Sequence, residues 1–119
     1  TIITYGMGVY WALEAAKSNK GMVEIIDIRT IYPLDEQLII ESAKKHGKCI
    51  VVTEEPKGNG FGQSIASLIS RESFEKLDAP VSIVGSENMP AIPLNSKLES
   101  TMIPNASKLE KEISTLLSY

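Results

Sequence analysis

The chain has 119 residues, a length that suits one domain built around one hydrophobic core. Its 12 basic and 15 acidic residues give a net charge of -3, so no basic excess attracts a phosphate backbone, and the composition argues against nucleic-acid binding. The single cysteine, Cys49, excludes an intrachain disulfide and a cysteine metal cluster and favours a reducing compartment, and no apolar run approaches the ~20 residues of a membrane-spanning helix.

Strand and helix patterns alternate through the first half of the chain. Residues 1–5, TIITY, are β-branched and aromatic, which predicts a strand. Apolar residues then recur at helical spacing from Val9, and Gly21 is placed to cap the end of that helix. The nearly continuous apolar run at 22–28 predicts a strand that is covered on both faces. Residues 33–47 carry the start and end signals of a second helix.

The second half of the chain continues this alternation. Residues 48–55, KCIVVTEE, predict a buried strand, and an amphipathic helix follows the glycine-rich loop after it. The sequence VSIVG at 81–85 predicts a fourth strand. Two prolines within residues 86–97 indicate an irregular connection. The last helix begins at Asn105 or, by the spacing of a capping box, at Ser107.

The order of these elements is β-α-β-α-β-α-β-α. Strands that alternate with helices imply right-handed crossovers and a mainly parallel sheet between two layers of helices. We therefore expect a three-layer α/β/α sandwich. The sequence contains no internal repeat and no interdomain linker, so residues 1–119 are expected to form one domain.

The loop EEPKGNGFGQS, residues 54–64, is the first candidate site. Glycines before a helix can let a phosphate approach the backbone amides of its first turn. The spacing, however, matches neither dinucleotide-binding nor P-loop motifs, and Lys57 precedes the glycines, whereas a P-loop lysine follows them. The alternative is a tight turn in which Gly60 and Gly62 supply positive φ and close packing.

The segment DIRTIYPLD, residues 27–35, is the second candidate. Asp27, Arg29 and Asp35 could form a small charged site. The favoured interpretation is structural: Arg29 pairs with a carboxylate at the end of the strand, and Pro33 sets the entry to the helix, for which Asp35 is a plausible N-cap.

Three further residues have reactive side chains. His46 lies in the last turn of a helix, where the helix dipole favours a cation. Cys49 opens an apolar strand and is expected to be an inert core thiol. Ser64 lacks the strand-turn-helix motif of a nucleophilic serine. No metal-binding motif is present, so the chain lacks a self-contained catalytic set, as expected for one domain of a larger enzyme.

Five segments, in order, resemble the C-terminal domain of the transketolase family, and they cover essentially all 119 residues. The resemblance is closest to the β part of the E1 component of 2-oxo acid dehydrogenase complexes. The segments are TYGMGVYWALEAA, VEIIDIRTIYPLD, KCIVVTEEPKGNGFGQSIASLI, LDAPVSIVGSENMPAIP and MIPNASKLEKEI. The tail is similar to that of bacterial E1 chains in which the α and β parts are fused. The loop EEPKGNGFG is similar to that of the branched-chain, 3-methyl-2-oxobutanoate (2-oxoisovalerate) type.

The resemblance implies a function that belongs to a longer protein. Such an E1 decarboxylates a 2-oxo acid oxidatively on thiamine diphosphate and magnesium and passes the acyl group to a lipoyl arm of E2. The family's cofactor-binding and catalytic motifs lie in other domains, and none occurs in this sequence. The chain is therefore expected to be a domain excised from an E1 chain, to bind no coenzyme or metal and to be non-catalytic alone. Within it, Asp27, Arg29, Pro33 and Asp35 match the family signature, and the glycine loop becomes a turn.

The partners that the resemblance implies are the remaining E1 domains, a second E1 protomer and the basic subunit-binding domain of E2. An acidic surface would suit that E2 domain, because charge complementarity speeds and orients docking. The candidate docking residues are Glu72, Glu75, Asp78 and the terminal carboxylate of Tyr119. No nucleic-acid or membrane partner is expected, and the expected location is the bacterial cytoplasm.

Two alternatives stay open. The parent could be the β part of a pyruvate dehydrogenase E1 or another transketolase-type enzyme. The chain could instead be a stand-alone coenzyme-binding or nucleotide-binding α/β module that uses the glycine loop.

Overall fold

The computed structural model describes residues 1–119. Four β-strands and five α-helices alternate along the chain, and a single 3-10 turn, Phe74–Lys76, follows the third helix. The strands are β1 (Ile2–Thr4), β2 (Ile25–Asp27), β3 (Ile50–Pro56) and β4 (Ser82–Ser86). The helices are α1 (Met7–Ser18), α2 (Glu36–His46), α3 (Phe61–Ser73), α4 (Ser96–Met102) and α5 (Ala106–Leu117). No helix has the length and apolar character that crossing a membrane requires.

The four strands form one parallel sheet in the order β2-β1-β3-β4. Ile3 of the central strand β1 lies beside Ile26 of β2 and Val51 of β3. Each strand is joined to the next by a helical crossover, as the alternating sequence pattern predicts. The expected α/β/α sandwich is therefore confirmed.

The sheet separates two buried clusters of apolar side chains. Because successive residues of a strand point to opposite faces, Ile2 packs with α1 and α5, whereas Ile3 packs with α2 and α3. Leu109 of α5 and Ile69 of α3 represent the two helical layers, and both are fully buried. Burial of one such side chain contributes roughly 1.5–3 kcal/mol. Because both clusters consist of residues of this chain, the chain has a hydrophobic core of its own.

The helix boundaries confirm most of the predicted caps. Asp35 accepts a hydrogen bond from the amide of Leu38 at the start of α2, and Gly47 ends this helix with a left-handed φ of 71°. The amide of Lys108 donates to Asn105, which decides the start of α5 in favour of Asn105 over Ser107.

Residues 22–28 were expected to form a strand covered on both faces, and β2 is covered in this way: Ile25 packs against the cluster of α1 and α5, and Ile26 and Ile28 lie in the cluster of α2 and α3. The strand is shorter than expected, with three residues, and it pairs only with β1 at the edge of the sheet. Two predictions about elements are wrong. Helix α1 ends at Ser18, and Gly21 occupies the following turn with a φ of 77°. Helix α4 begins inside the segment predicted to be irregular, where Asn95 caps it.

Candidate functional site

The crevice between the carboxyl ends of β1 and β3 is where this topology would place a ligand. The helix after β1 packs on one face of the sheet and the helix after β3 packs on the other, so the chain diverges between these two neighbouring strands. Ligands of open α/β sheets bind at such switch points. Here the crevice is bordered by Tyr5 and Gly6 after β1, and by Glu54 and Glu55 of β3.

Glu55 occupies the start of α3 with its own carboxylate. Its Oε2 accepts a hydrogen bond from the amide of Phe61 at 2.5 Å, and its Oε1 accepts one from the hydroxyl of Tyr5. The Tyr5 ring meets the Phe61 ring edge-on, with centroids 6.5 Å apart. Burial and the bond to Glu55 raise the pKa of Tyr5 above its ordinary value, so the hydroxyl keeps the proton that it donates.

Glu54 points the other way, toward the start of α1. One of its carboxylate oxygens lies 3.5 Å from the position that a Cβ on Gly6 would occupy. The two helices that begin at the switch point are therefore both faced by carboxylates of β3. A phosphate or diphosphate entering this crevice would meet two negative charges, so the residues present do not fit such a group.

The glycine loop acts as a tight turn through close packing. A Cβ on Gly60 would lie 2.6 Å from Glu55 Oε2 and 2.8 Å from the carbonyl oxygen of Pro56. A Cβ on Gly62 would lie 2.9 Å from a methyl carbon of Thr53. The expectation that these glycines supply positive φ is wrong, because Asn59 takes the left-handed conformation of the loop, with a φ of 63°.

The structure does not gather the charged residues of segment 27–35 into one cluster. Arg29 Nε lies 2.8 Å from Asp27 Oδ2, whereas the Asp35 side chain is engaged at the start of α2. Arg29 has a φ of 57°, and its side chain is 84% exposed. The peptide between Tyr32 and Pro33 is cis, and the carbonyl of Pro33 accepts a bond from the hydroxyl of Thr30.

The remaining reactive side chains are dispersed. His46 Nε2 lies 2.9 Å from Glu24 Oε2, and hydrogen bonds from Ser42 and Lys45 reach the same carboxylate. The bond from Ser42, followed by that from Lys45, lowers the pKa of Glu24 from 4.5 to about 2. These contacts tie α2 to the residue before β2, which is a structural role.

Cys49 and Ser64 also lie apart from any catalytic arrangement. Cys49 is fully buried, and its burial raises the pKa of the thiol. Ser64 is exposed on the outer side of α3. No cluster of three or more histidine, cysteine and acidic side chains could hold a metal ion.

The predicted docking residues lie at the amino edge of the sheet, opposite the crevice. Glu72, Glu75, Asp78 and Tyr119 are all exposed there, near the ends of α3 and α5. The amide of Asp78 donates to the carbonyl of Gly47 at 2.7 Å, so this residue sits beside the end of α2.

Basic side chains are mixed with these carboxylates. Arg71 Nε pairs with Glu72 at 2.7 Å, and Lys44 and Lys76 border the same shallow depression of about 440 Å³. The carboxyl-terminal ends of helices favour cations, which is consistent with Lys44 and Arg71 in the last turns of α2 and α3 at this edge. The surface is therefore of mixed charge and not simply acidic.

Two features were missed by sequence reasoning. The pair of Tyr5 and Glu55 joins residues 50 positions apart and depends on the strand order. Phe74 is 77% exposed and lines the mixed-charge depression. Its position between charged neighbours in RESFEKL is the signal that could have identified it.

Comparison with known proteins identifies relatives over the whole chain. Residues 1–109 match the family model described as Transketolase, C-terminal domain. The chain is 36% identical to the 2-oxoisovalerate dehydrogenase subunit beta of Bacillus subtilis (strain 168), an alignment that covers 100% of this chain and 37% of that protein. It is 38% identical to the pyruvate dehydrogenase E1 component subunit beta of Rickettsia conorii, with the same coverage of both chains. The chain thus spans little more than a third of the length of these relatives.

A solved structure supports the fold. The chain aligns with a structure described as split gene transketolase, inactive beta4 tetramer, at a TM-score of 0.77 and 22% identity. The alignment covers 98% of this chain and 38% of that one.

Proposed function

Because this chain belongs to the transketolase C-terminal domain family, we propose that residues 1–119 are the C-terminal domain of a longer 2-oxo acid dehydrogenase E1, from its β part. The parent enzyme would decarboxylate its 2-oxo acid oxidatively and transfer the acyl group to the lipoyl arm of E2. This chain would supply a scaffold and a docking surface. The observation that carries the proposal is the match of the whole chain to E1 beta subunits, and the two carboxylates at the switch point, Glu54 and Glu55, support the scaffold role because they leave no place for a diphosphate.

We propose a branched-chain substrate of the 3-methyl-2-oxobutanoate type, with pyruvate as the second candidate. The loop EEPKGNGFG supports the branched-chain assignment through its resemblance to those enzymes. Relatives named for the two substrates match this chain at 36% and 38% identity, so the identities alone favour neither. Thiamine diphosphate and magnesium would bind in other domains of the parent.

The proposed docking surface is the amino edge, which carries Glu72, Glu75, Asp78 and Tyr119. Its partner would be the basic subunit-binding domain of E2. The exposed ring of Phe74 gives this surface a large aromatic side chain, and aromatic residues are enriched at protein interfaces. Mixed charges would orient the partner more than they would add affinity.

Calorimetric titration of the 119-residue chain tests this proposal. We expect no binding of thiamine diphosphate with magnesium, and salt-sensitive binding of the E2 domain. Binding of the coenzyme would contradict the placement of the active site outside this chain and would favour the stand-alone coenzyme module. Binding of neither ligand would leave scaffolding as the role and would contradict the docking surface.

Charge reversal locates the docking surface. The double substitution Glu75→Lys and Asp78→Lys should weaken binding of the E2 domain about tenfold, because it replaces attraction by repulsion. The double substitution Glu54→Lys and Glu87→Lys is the matched control, since both are exposed carboxylates at the opposite edge and the change in net charge is the same. Equal losses in the two variants would show that only net charge matters.

A further inference from the structure

Exposed large apolar side chains are concentrated at the carboxyl edge of the sheet. Of the fourteen such residues, nine lie in the segments that connect a strand's end to the first turn of the next long helix. They are Met7, Tyr10, Ile31, Tyr32, Leu38, Met89, Ile92, Leu94 and Leu98. Exposed apolar side chains grouped at one edge favour a surface that binds another protein.

The loop after β2 presents the most exposed of the aromatic side chains. Tyr32 is 92% exposed and Ile31 is 47% exposed. The neighbouring Arg29 holds a left-handed backbone that is costly for a residue with a side chain. Asp27 fixes this conformation by accepting from the Arg29 amide at 3.1 Å and from its Nε at 2.8 Å. Tyrosine and arginine are the residues enriched in interface hot spots, and a fixed loop presents them without a further ordering cost.

A cleft of about 900 Å³ lies between this loop and α3. Ile31 and Tyr32 form one side, and the half-buried Phe61 and the buried Ile65 and Leu68 contribute apolar surface to the other. The cleft is large enough to receive several side chains of a partner. It lies on the same side of the sheet as α2 and α3, and its lining runs from the 31–34 loop along α3 to Arg71.

We propose that the carboxyl edge, with the 29–34 loop as its anchor, is the surface that packs against the remainder of the parent polypeptide. This inference rests on the proposed function and deepens it by assigning each edge of the sheet to a different partner. The chain covers 37% of its relatives' length, so most of such a protein lies outside it. We expect the partner surface to place a carboxylate near Arg29 and a cation near the exposed Glu54, with apolar side chains between them.

Hydrogen exchange distinguishes the two edges. The full-length parent is compared with the 119-residue chain, and peptides covering residues 28–34 and 72–78 are followed in both. We expect exchange at 28–34 to be at least about tenfold slower in the full-length protein. Exchange at 72–78 should change little until the E2 domain is added. Equal exchange at 28–34 in the two proteins would overturn the inference, as would protection in the short chain that accompanies its dimerisation.

A pair of matched substitutions gives a second measurement. Tyr32→Ser should shift the melting midpoint of the 119-residue chain by less than about 1 °C, because the ring is exposed there. In the full-length parent it should lower the midpoint by about 2–4 °C. Phe74→Ser, at the opposite edge, should leave the midpoint of the parent unchanged in the absence of E2. A Tyr32→Ser shift of the same size in both proteins would contradict the interface.

The outcome for the proposed function is read separately. Decarboxylase activity of the full-length protein toward 2-oxo acids tests that function, whereas protection at residues 28–34 requires no substrate. If the parent is inactive but residues 28–34 are protected, the proposed function is contradicted and the proposed interface is supported. If the parent is active but residues 28–34 are not protected, only the proposed interface is contradicted.

Discussion

At the scale of single residues, the Glu55 carboxylate occupies the place at the switch point where a ligand would contact the start of α3. Its two carboxylate oxygens join the end of β1, through Tyr5, to the first amide of α3, at Phe61. The sequence shows glycines before a helix and acids nearby, which is enough to predict a turn. It cannot show that Tyr5 reaches Glu55, because that contact depends on β1 lying beside β3.

Replacing Glu55 tests this contact. Glu55→Gln should destabilise the chain by about 1–2 kcal/mol, because a charge-assisted bond to an amide becomes a neutral one in a half-buried place. Urea unfolding measures the difference. Glu54→Gln is the control, since that side chain is exposed, and it should change stability by less than about 0.5 kcal/mol. Equal effects of the two substitutions would argue against a special role for Glu55.

The Glu24 carboxylate predicts a dependence of stability on pH. Its pKa is about 2 in the folded chain against an ordinary 4.5, so its contribution is complete above about 4.5 and is lost as the pH falls toward 2. The stability difference between the natural chain and Glu24→Gln should shrink over this window. Because Glu24 is partly exposed, the difference at neutral pH should stay under about 1 kcal/mol. A difference that is constant from pH 6 to 2.5 would contradict the assignment.

At the scale of elements, close packing of α3 on the sheet explains why Gly62 is a glycine. An alanine there would place its Cβ 2.9 Å from the Thr53 methyl carbon, and the buried strand β3 cannot readily move. Gly62→Ala should cost about 1–2 kcal/mol, although alanine favours a helix by up to ~1 kcal/mol. Ser67→Ala, on the exposed side of the same helix, should be neutral or slightly stabilising. A stabilising Gly62→Ala would show that the contact relaxes freely.

The predictability of each element follows from the range of the interactions that define it. Helix α2 has its N-cap at Asp35 and ends at Gly47, and such local signals can be recognised in the sequence alone. Helix α4 has seven residues after two prolines, too few to form an apolar stripe. The edge position of β2 is set by pairing with β1, which lies more than twenty residues away. Local sequence patterns do not specify the order of the strands, so they could not predict the position of the switch point.

At the scale of the whole molecule, the sheet divides the core into two clusters, which we expect to contribute independently to stability. Ile113 of α5 lies in one cluster and Ile69 of α3 lies in the other. Ile113→Val and Ile69→Val should each cost about 0.5–1.5 kcal/mol, and the double variant should lose the sum within about 0.5 kcal/mol. Chemical unfolding of the four proteins tests this additivity. A deviation from additivity above about 1 kcal/mol in the free energy of unfolding would show that packing on one face of the sheet affects packing on the other.

The place of β1 bears on how the domain is made in the cell. Within this domain Ile2–Thr4 is synthesised before both of its neighbours, and Ile3 pairs with Val51, which is 48 residues later. Until β3 leaves the ribosome, Ile2–Thr4 can pair only with β2, so one edge of this central strand stays unpaired. We expect ribosome-bound intermediates in which β3 is still inside the exit tunnel to recruit chaperones, and longer ones to release them.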